Sequence, residues 1–268
     1  MNRILLCLAM LQGSVANGLA QAHLGARLAA MGNNGNAVED IWSIQGNPAG
    51  ISGIPKIAVA IDYTKYLFAT ELSRQAIAIA IPFQKNSIGI SLDRYGIAEY
   101  SEIKASLAMV KKFGRQLAIG LKGNYHQLKI DNYGATTAFS LDVGFLYRFN
   151  RQLLLGFYID NPALQPYGSP AVKLTIPTSF HLGLSYLVSD KVLLASDLSK
   201  TLHLPIDVAI GIDYQLLALF SLRGGLTAKP FKQYAGFGLH YKKFMLDMAV
   251  ASDPYLGYSP QITLGYVF

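Results

Sequence analysis

Phe139-Ser140-Leu141-Asp142-Val143-Gly144-Phe145-Leu146-Tyr147-Arg148-Phe149 is the stretch on which the fold turns. In an extended chain successive side chains point to opposite faces. Phe139, Leu141, Val143, Phe145, Tyr147 and Phe149 therefore share one large apolar face. Ser140, Asp142, Gly144 and Arg148 share a small or charged one. The same split recurs in both directions along the chain. Ile77, Ile79 and Ile81 oppose Ala76, Ala78 and Ala80, and Ile88, Ile90 and Leu92 oppose Gly89, Ser91 and Asp93. Nearer the C-terminus, Ile206, Val208, Ile210, Ile212 and Tyr214 oppose Asp207, Ala209, Gly211 and Asp213. Ala235, Phe237, Leu239 and Tyr241 oppose Gly236, Gly238 and His240. Segments of this kind from Ile57 onward number about fourteen, an even count of the sort that transmembrane barrels show. No stretch after Ser52 has a helical period.

Composition favours an apolar environment. Charged residues are 15% of the 268 and apolar residues 51%, where a soluble domain carries about 25% charged. Disorder and a heavily solvated surface are both poor readings of such a composition. The net charge of +7 is spread thinly. No basic cluster exceeds pairs such as Lys111-Lys112 and Lys242-Lys243, which read as turn residues, so a nucleic-acid surface is not expected.

Residues 1–22 read as a secretory signal: Arg3, an apolar run over residues 4–11, then Ala20-Gln21-Ala22 as a cleavage site. The run is too short for a spanning helix, which needs roughly 20 apolar residues. A lipoprotein signal ending at Cys7 would want a small residue where Leu6 stands. Cleavage removes the only cysteine, which leaves neither a disulfide framework nor a thiolate site.

A soluble sandwich also alternates, so connections and aromatics must decide. Six tight connections are predicted at Gln84-Lys85-Asn86, Gly114-Arg115, Asn150-Arg151, Ser189-Asp190-Lys191, Leu216-Leu217 and Lys242-Lys243. Longer ones intervene, among them residues 64–72, 95–101 and 161–178. Short turns on one side and long loops on the other describe an up-and-down barrel in an outer membrane. Phe83, Phe113, Phe149, Tyr186, Tyr214, Tyr241 and Phe244 fall beside the tight turns, as one aromatic girdle would. Tyr63, Tyr66, Tyr95, Tyr125, Tyr158 and Tyr234 fall near the long loops, as a second would. Hydrocarbon offers no hydrogen bonds, so strands span it only when closed into a ring. The expected closure pairs residues 56–63 with the last strand.

The expected fold class is thus all-β, a transmembrane up-and-down antiparallel barrel of about fourteen strands. Its divisions are a signal peptide (residues 1–22), an N-terminal segment (residues 23–54) and the barrel (residues 55–268). The last strand alternates Ile262, Leu264, Tyr266 and Phe268 with Gln261, Thr263, Gly265 and Val267. It resembles the C-terminal signal that the barrel-assembly machinery of outer membranes reads, so Leu264, Tyr266 and Phe268 are assembly-signal candidates. The expected setting is the outer membrane of a Gram-negative bacterium.

The segment before the barrel is rich in Gly, Asn and Ala. Gly25-Ala26-Arg27, Met31-Gly32, Ala37, Glu39-Asp40 and Asn47-Pro48-Ala49-Gly50 together resemble the start of the PorV/PorQ family of outer-membrane proteins, within the wider FadL-like barrel group. That resemblance implies a hatch folded back into the lumen, with Arg27, Met31, Gly32, Asn47, Pro48, Ala49 and Gly50 as its motif residues. Pro48 fixes its own φ and biases Asn47 to an extended conformation, which makes a stiff turn. Small inward residues such as Ala58, Ala60, Ala76, Ala78, Gly120, Gly144 and Gly156 leave room for it.

Inward polar candidates are Asp62, Asp93, Lys122, Asp142, Arg148, Asp160, Asp197, Asp207, Asp213, Arg223 and Asp247, with His181 and His240. Both signs occur, as in a hydrated lumen. Catalysis is not expected, because Ser179 and His181 are same-strand neighbours that lie side by side. The five histidines are scattered, which argues against zinc. Gly224-Gly225 lacks the Lys-Ser/Thr of a phosphate loop. No cofactor is expected. The PorV/PorQ resemblance implies an accessory linked to type IX secretion, with a translocon or secreted protein as partner. The alternative is FadL-like transport of a hydrophobic small molecule, the hatch moving to open a path. The bilayer is a partner in either case, and residues 161–178 would serve as docking arm or lid.

Overall fold

The alternating segments pair in sequence order into a ring. The computed structural model describes residues 24–66, 71–163, 165, 175–254 and 257–268; the expected signal peptide lies outside them. The strands are β1 (Ala58–Lys65), β2 (Ser73–Phe83), β3 (Asn86–Gly96), β4 (Tyr100–Phe113), β5 (Leu117–Ile130), β6 (Gly134–Arg148) and β7 (Leu153–Asp160). They continue as β8 (Ser179–Ser189), β9 (Val192–Thr201), β10 (Asp207–Leu217), β11 (Phe220–Ala228), β12 (Phe231–Tyr241), β13 (Phe244–Asp253) and β14 (Gly257–Val267). Each pairs with the next, and β1 pairs antiparallel with β14, from Ala58 opposite Val267 to Thr64 opposite Gln261. No edge is left open, which removes the row of unpaired backbone groups that hydrocarbon would penalise.

Register places the two chemistries as the alternation requires. Ile61, Leu107, Met109, Leu121, Leu141, Ile210 and Leu264 face outward and are exposed, whereas Ala60, Ala78, Ala108, Asp142 and Thr263 face inward and are buried. An apolar belt this continuous needs an apolar surrounding. The fold is a closed fourteen-stranded antiparallel barrel of the outer-membrane type.

Several local expectations need correction. The first strand begins at Ala58 and runs to Lys65, two residues later at each end than expected. Leu216-Leu217 is not a turn: a bulge near Leu217 carries β10 on, and Ala218-Leu219 makes the connection. The second connection at the opposite end shrinks to residues 97–99, because the β3–β4 ladder runs on to Gly96 opposite Ser101. Residues 131–133, 229–230 and 254–256 are as short or shorter, so the longer connections at that end are residues 66–72, 161–178 and 202–206.

The aromatics beside the tight turns, Phe83, Phe113, Phe149, Tyr186, Tyr214, Tyr241 and Phe244, are all exposed. The second girdle is incomplete, since Tyr158 and Tyr234 are buried inside. Each is in phase with an inward glycine of its own strand, Gly156 and Gly236, and alternation overrides the girdle.

Before the barrel, residues 24–53 form short elements within the lumen. Helix α1 (Ala26–Ala30) comes first. A 3-10 turn over Ile41–Ile44 follows, capped by the Asp40 carboxylate, which accepts from Trp42 N. A second, Pro48–Gly53, starts on Pro48 and is capped by Asn47, whose side-chain oxygen accepts from Ala49 N. A cap and an N-terminal proline are what a short helical turn needs to begin.

The occupied lumen as candidate functional site

Residues 24–53 lie against the inner wall. Helix α1 lies against β11–β14, the 41–44 turn against β1–β3, and the 48–53 turn against β3–β6. Contact is so close that a side chain is excluded at several wall positions. A Cβ on Gly144 would stand 2.1 Å from Asn47 Oδ1, and one on Gly156 1.8 Å from Asn36 O. On the far side, a Cβ on Gly211 would stand 2.2 Å from Met31 O, and one on Gly225 2.3 Å from Gly32 N.

The middle of the lumen is apolar. Leu24, Leu28, Met31, Ile41, Trp42, Ile44 and Ile51 are buried with Ala58, Ala60, Ala78, Ala80, Ala108 and Ala118 of the wall. Burying each Leu or Ile contributes about 1.5–3 kcal/mol, so this packing holds the segment more than any single polar contact does.

Polar contacts fix its register. The Asp197 carboxylate accepts from Gly35 N at 2.9 Å, Asn36 N at 3.2 Å and Asn36 Nδ2 at 3.0 Å. Asn47 Nδ2 donates to Asn36 O at 2.7 Å and to Phe145 O at 2.9 Å, joining the segment to itself and to β6. Lys122 Nζ lies 3.0 Å from Asp142 Oδ2, donates to Gly46 O at 3.1 Å, and stands 3.2 Å from the Tyr158 hydroxyl. That hydroxyl donates to Asp142 at 2.9 Å, as does Asn124 Nδ2.

A second ionic group lies across the lumen. Arg27 reaches Asp213 at 3.0 Å and Asp40 at 2.9 Å. Burial works against its charge, yet the two carboxylates more than offset this and raise its pKa above the ordinary value. Arg223 reaches Asp213 at 3.1 Å and Asp247 at 2.6 Å, with His240 Nε2 3.5 Å from Asp247.

Of the other residues singled out from sequence, Asp62 accepts from Gln261 Nε2 and from the Thr263 hydroxyl. Thr263 in turn accepts from Ala26 N at 2.8 Å. Asp93 takes Arg74 on both oxygens, at 2.8 and 2.9 Å, and His181 stacks on Tyr158 with ring centres 5.3 Å apart. Arg148 pairs with Glu39 at 2.6 Å beside a cavity of about 300 Å³ at the tight-turn end, lined also by Lys112, Arg115 and Leu146. Ala49 and Gly50 are buried beside Asn47 and Pro48. Asp207 does not join the lumen network: it accepts from Ala228 N and Lys229 N and holds the β11–β12 turn. At the last strand, Leu264 and Phe268 face outward, Tyr266 meets both Phe244 and Phe268 edge-on, and Phe268 N donates to Ile57 O.

Sequence reasoning did not single out Tyr158, Asn124, Arg74 or Asn161 as parts of the site. Asn161 ends β7 at φ 46°, fully buried, with its N–H on Asp142 and Nδ2 on Ile176 O. Asparagine tolerates that backbone region. Beyond it, Ile176 packs inside on Leu128 and Ala138. β6 pairs with β7 only over Val143–Arg148, so among the described residues Gly134–Asp142 have no strand on that side.

No metal-holding group of His, Cys, Asp or Glu occurs among the described residues. No family model and no curated protein matches the sequence. Solved structures do. The CymD monoaromatic hydrocarbon channel superposes with a TM-score of 0.71 over 92% of this chain and 98% of its own, at 13% identity. The Ralstonia pickettii toluene transporter TbuX gives 0.69 over 92% and 99%, at 12% identity. A Pseudomonas aeruginosa FadL homologue gives 0.67 over 91% and 98%, at 11% identity. Likeness at such low identity establishes a shared fold, that of the FadL-like barrels.

Proposed function

We propose that this chain is an outer-membrane channel that passes a hydrophobic small molecule, with residues 23–54 as its hatch, residues 55–268 as its barrel and residues 1–22 as its export signal. The observation that carries the reading is a closed barrel whose lumen is filled by its own N-terminal segment through an apolar contact surface. An open, water-lined pore would serve polar solutes; an alanine-lined wall against Leu28, Ile44 and Ile51 suits a molecule that prefers to leave water. The likeness to hydrocarbon channels supports this transport reading better than the secretion-linked one. In this reading Arg27, Met31, Gly32, Asn47, Pro48, Ala49 and Gly50 seat the hatch, Lys122 and Asp142 anchor it, and residues 161–178 act as a lid. Leu264, Tyr266 and Phe268 serve assembly.

The test is uptake of labelled toluene, against a sugar of similar size, across the outer membrane of cells lacking their own hydrocarbon channel. The chain should raise toluene uptake alone, and deletion of residues 25–52 should raise uptake of both solutes. Unchanged toluene uptake, together with a secreted protein or translocon retained after mild detergent extraction, would overturn transport in favour of the secretion-linked role.

A further inference from the structure

The two ends of the barrel differ in charge. Five of the six tight turns carry a cation: Lys85, Arg115, Arg151, Lys191, and the pair Lys242-Lys243. Asp190 is the only acid in those turns. The opposite end mixes signs, with Glu71, Glu99 and Asp131 in its connections beside Lys229. Repulsion among like charges at one rim has a cost, which an anionic partner outside the chain would offset.

Geometry places part of this charge, together with Lys111 at the end of β4, next to the bilayer. Lys111 Nζ stands 5.5 Å from the centre of the Phe113 ring, Lys242 5.3 Å from that of Tyr241, and Lys243 5.7 Å from that of Tyr266. Phe113 and Tyr241 belong to the exposed aromatic girdle. Aromatic girdles mark the depth of the headgroups, and cation–π contact holds the ammonium groups there. Among the described residues none of these three lysines has a carboxylate within ion-pair distance.

We propose that the tight-turn rim is a binding surface for anionic phospholipid headgroups in the leaflet that it faces, with Lys111, Lys242 and Lys243 as its core. The proposal rests on the membrane reading above. An anionic headgroup supplies the missing counter-charge where the lysines already point, while its acyl chains lie on the outward belt. Basic groups at a membrane surface favour anionic lipid by roughly fivefold each at low salt, less when screened.

The test uses the full chain reconstituted in phosphatidylcholine vesicles with a minor share of phosphatidylglycerol, and spin-labelled lipids that report which species lies against the protein. Phosphatidylglycerol should be preferred by at least about threefold at low salt. The preference should fade at high salt, fall to parity in Lys111→Gln/Lys242→Gln/Lys243→Gln, and persist in Lys65→Gln/Lys129→Gln/Lys229→Gln at the other end. Parity in the unmodified chain, or a preference that survives the rim substitutions, overturns the proposal. So does competition by inorganic phosphate beyond that of chloride at equal ionic strength, which would mark a discrete anion site. Insertion is followed separately by heat-modifiable gel migration. A chain that does not insert in these vesicles overturns the membrane reading itself, whereas insertion with lipid parity overturns only this inference.

Discussion

The N-terminal segment is tied to the barrel on two sides, and the two ties are built differently. On the β5–β8 side, Lys122 and Asp142 are both fully shielded, Lys122 holds Gly46 O, and Asn47 fills the notch at Gly144. On the β10–β13 side, Arg27 keeps a quarter of its side chain exposed and shares Asp213 with Arg223. A dry ion pair is costly to break because the charge left behind has no water to turn to. A partly wet one gives way at little cost. The ionic tie is therefore firm at Gly46 and Asn47 and looser at Arg27, while apolar packing holds the segment on both sides. Of the ionic contacts, those of Arg27 should give way first, with residues 44–51 staying in place.

The largest effect tests the firm side. Lys122→Met should destabilise the folded barrel by about 3–5 kcal/mol, since Asp142 then stays buried with hydrogen-bond donors but, among the described residues, no cation within ion-pair distance. Adding Asp142→Leu should recover most of that loss, as an apolar pair can replace a buried ionic one. Urea midpoints by heat-modifiable migration measure both, and a double variant no better than the single would show that the Gly46 contact dominates. Gly144→Val comes next. Its side chain would enter the space of Asn47 Oδ1 and Pro48, an overpacking that costs about 1–3 kcal/mol. It should also admit a polar antibiotic that the unmodified barrel excludes. Unaltered exclusion would mean that the segment can shift as a body without opening a gap.

How much of this was legible beforehand depends on whether a feature lives in one strand or between strands. The face of Phe139 or Asp142 follows from alternation alone, so the barrel, its inside and its outside could be read directly. Room for an occupant was equally visible in Ala58, Ala60, Gly120, Gly144 and Gly156. The direction of Tyr158 was legible too, since it is in phase with Gly156, but its place near a loop suggested a girdle. The contacts that matter most were not legible. Lys122 meets Asp142 only through the β5–β6 register. Met31 meets Gly211 and Gly225 only after the whole ring has closed. The β10–β11 turn was misplaced because a bulge adds a residue that no periodicity predicts.

On the loose side the effects shrink. Arg27→Met should cost only about 1 kcal/mol, because Asp213 keeps Arg223 and Asp40 keeps Trp42 N. Its signature should be leakage of small polar solutes at nearly unchanged stability, with added salt producing part of the same leakage in the unmodified chain. Leakage no greater than that of Lys122→Met at matched folded fraction would break the comparison between the two sides.

The smallest effect concerns Glu39, whose pair with Arg148 is about one-third exposed on both partners and borders the cavity at the tight-turn end. Glu39 does two things, since its stem also lies where Gly53 lacks a side chain, with a Cβ there only 2.4 Å from its carboxyl carbon. Glu39→Gln keeps the stem and removes the charge, so stability should move by no more than about 0.5 kcal/mol. Glu39→Ala removes both and should cost more. If the glutamine variant instead loses as much as the alanine variant, the Arg148 pair is drier than its exposure implies, and the segment has a second firm anchor on the wall that carries Lys122.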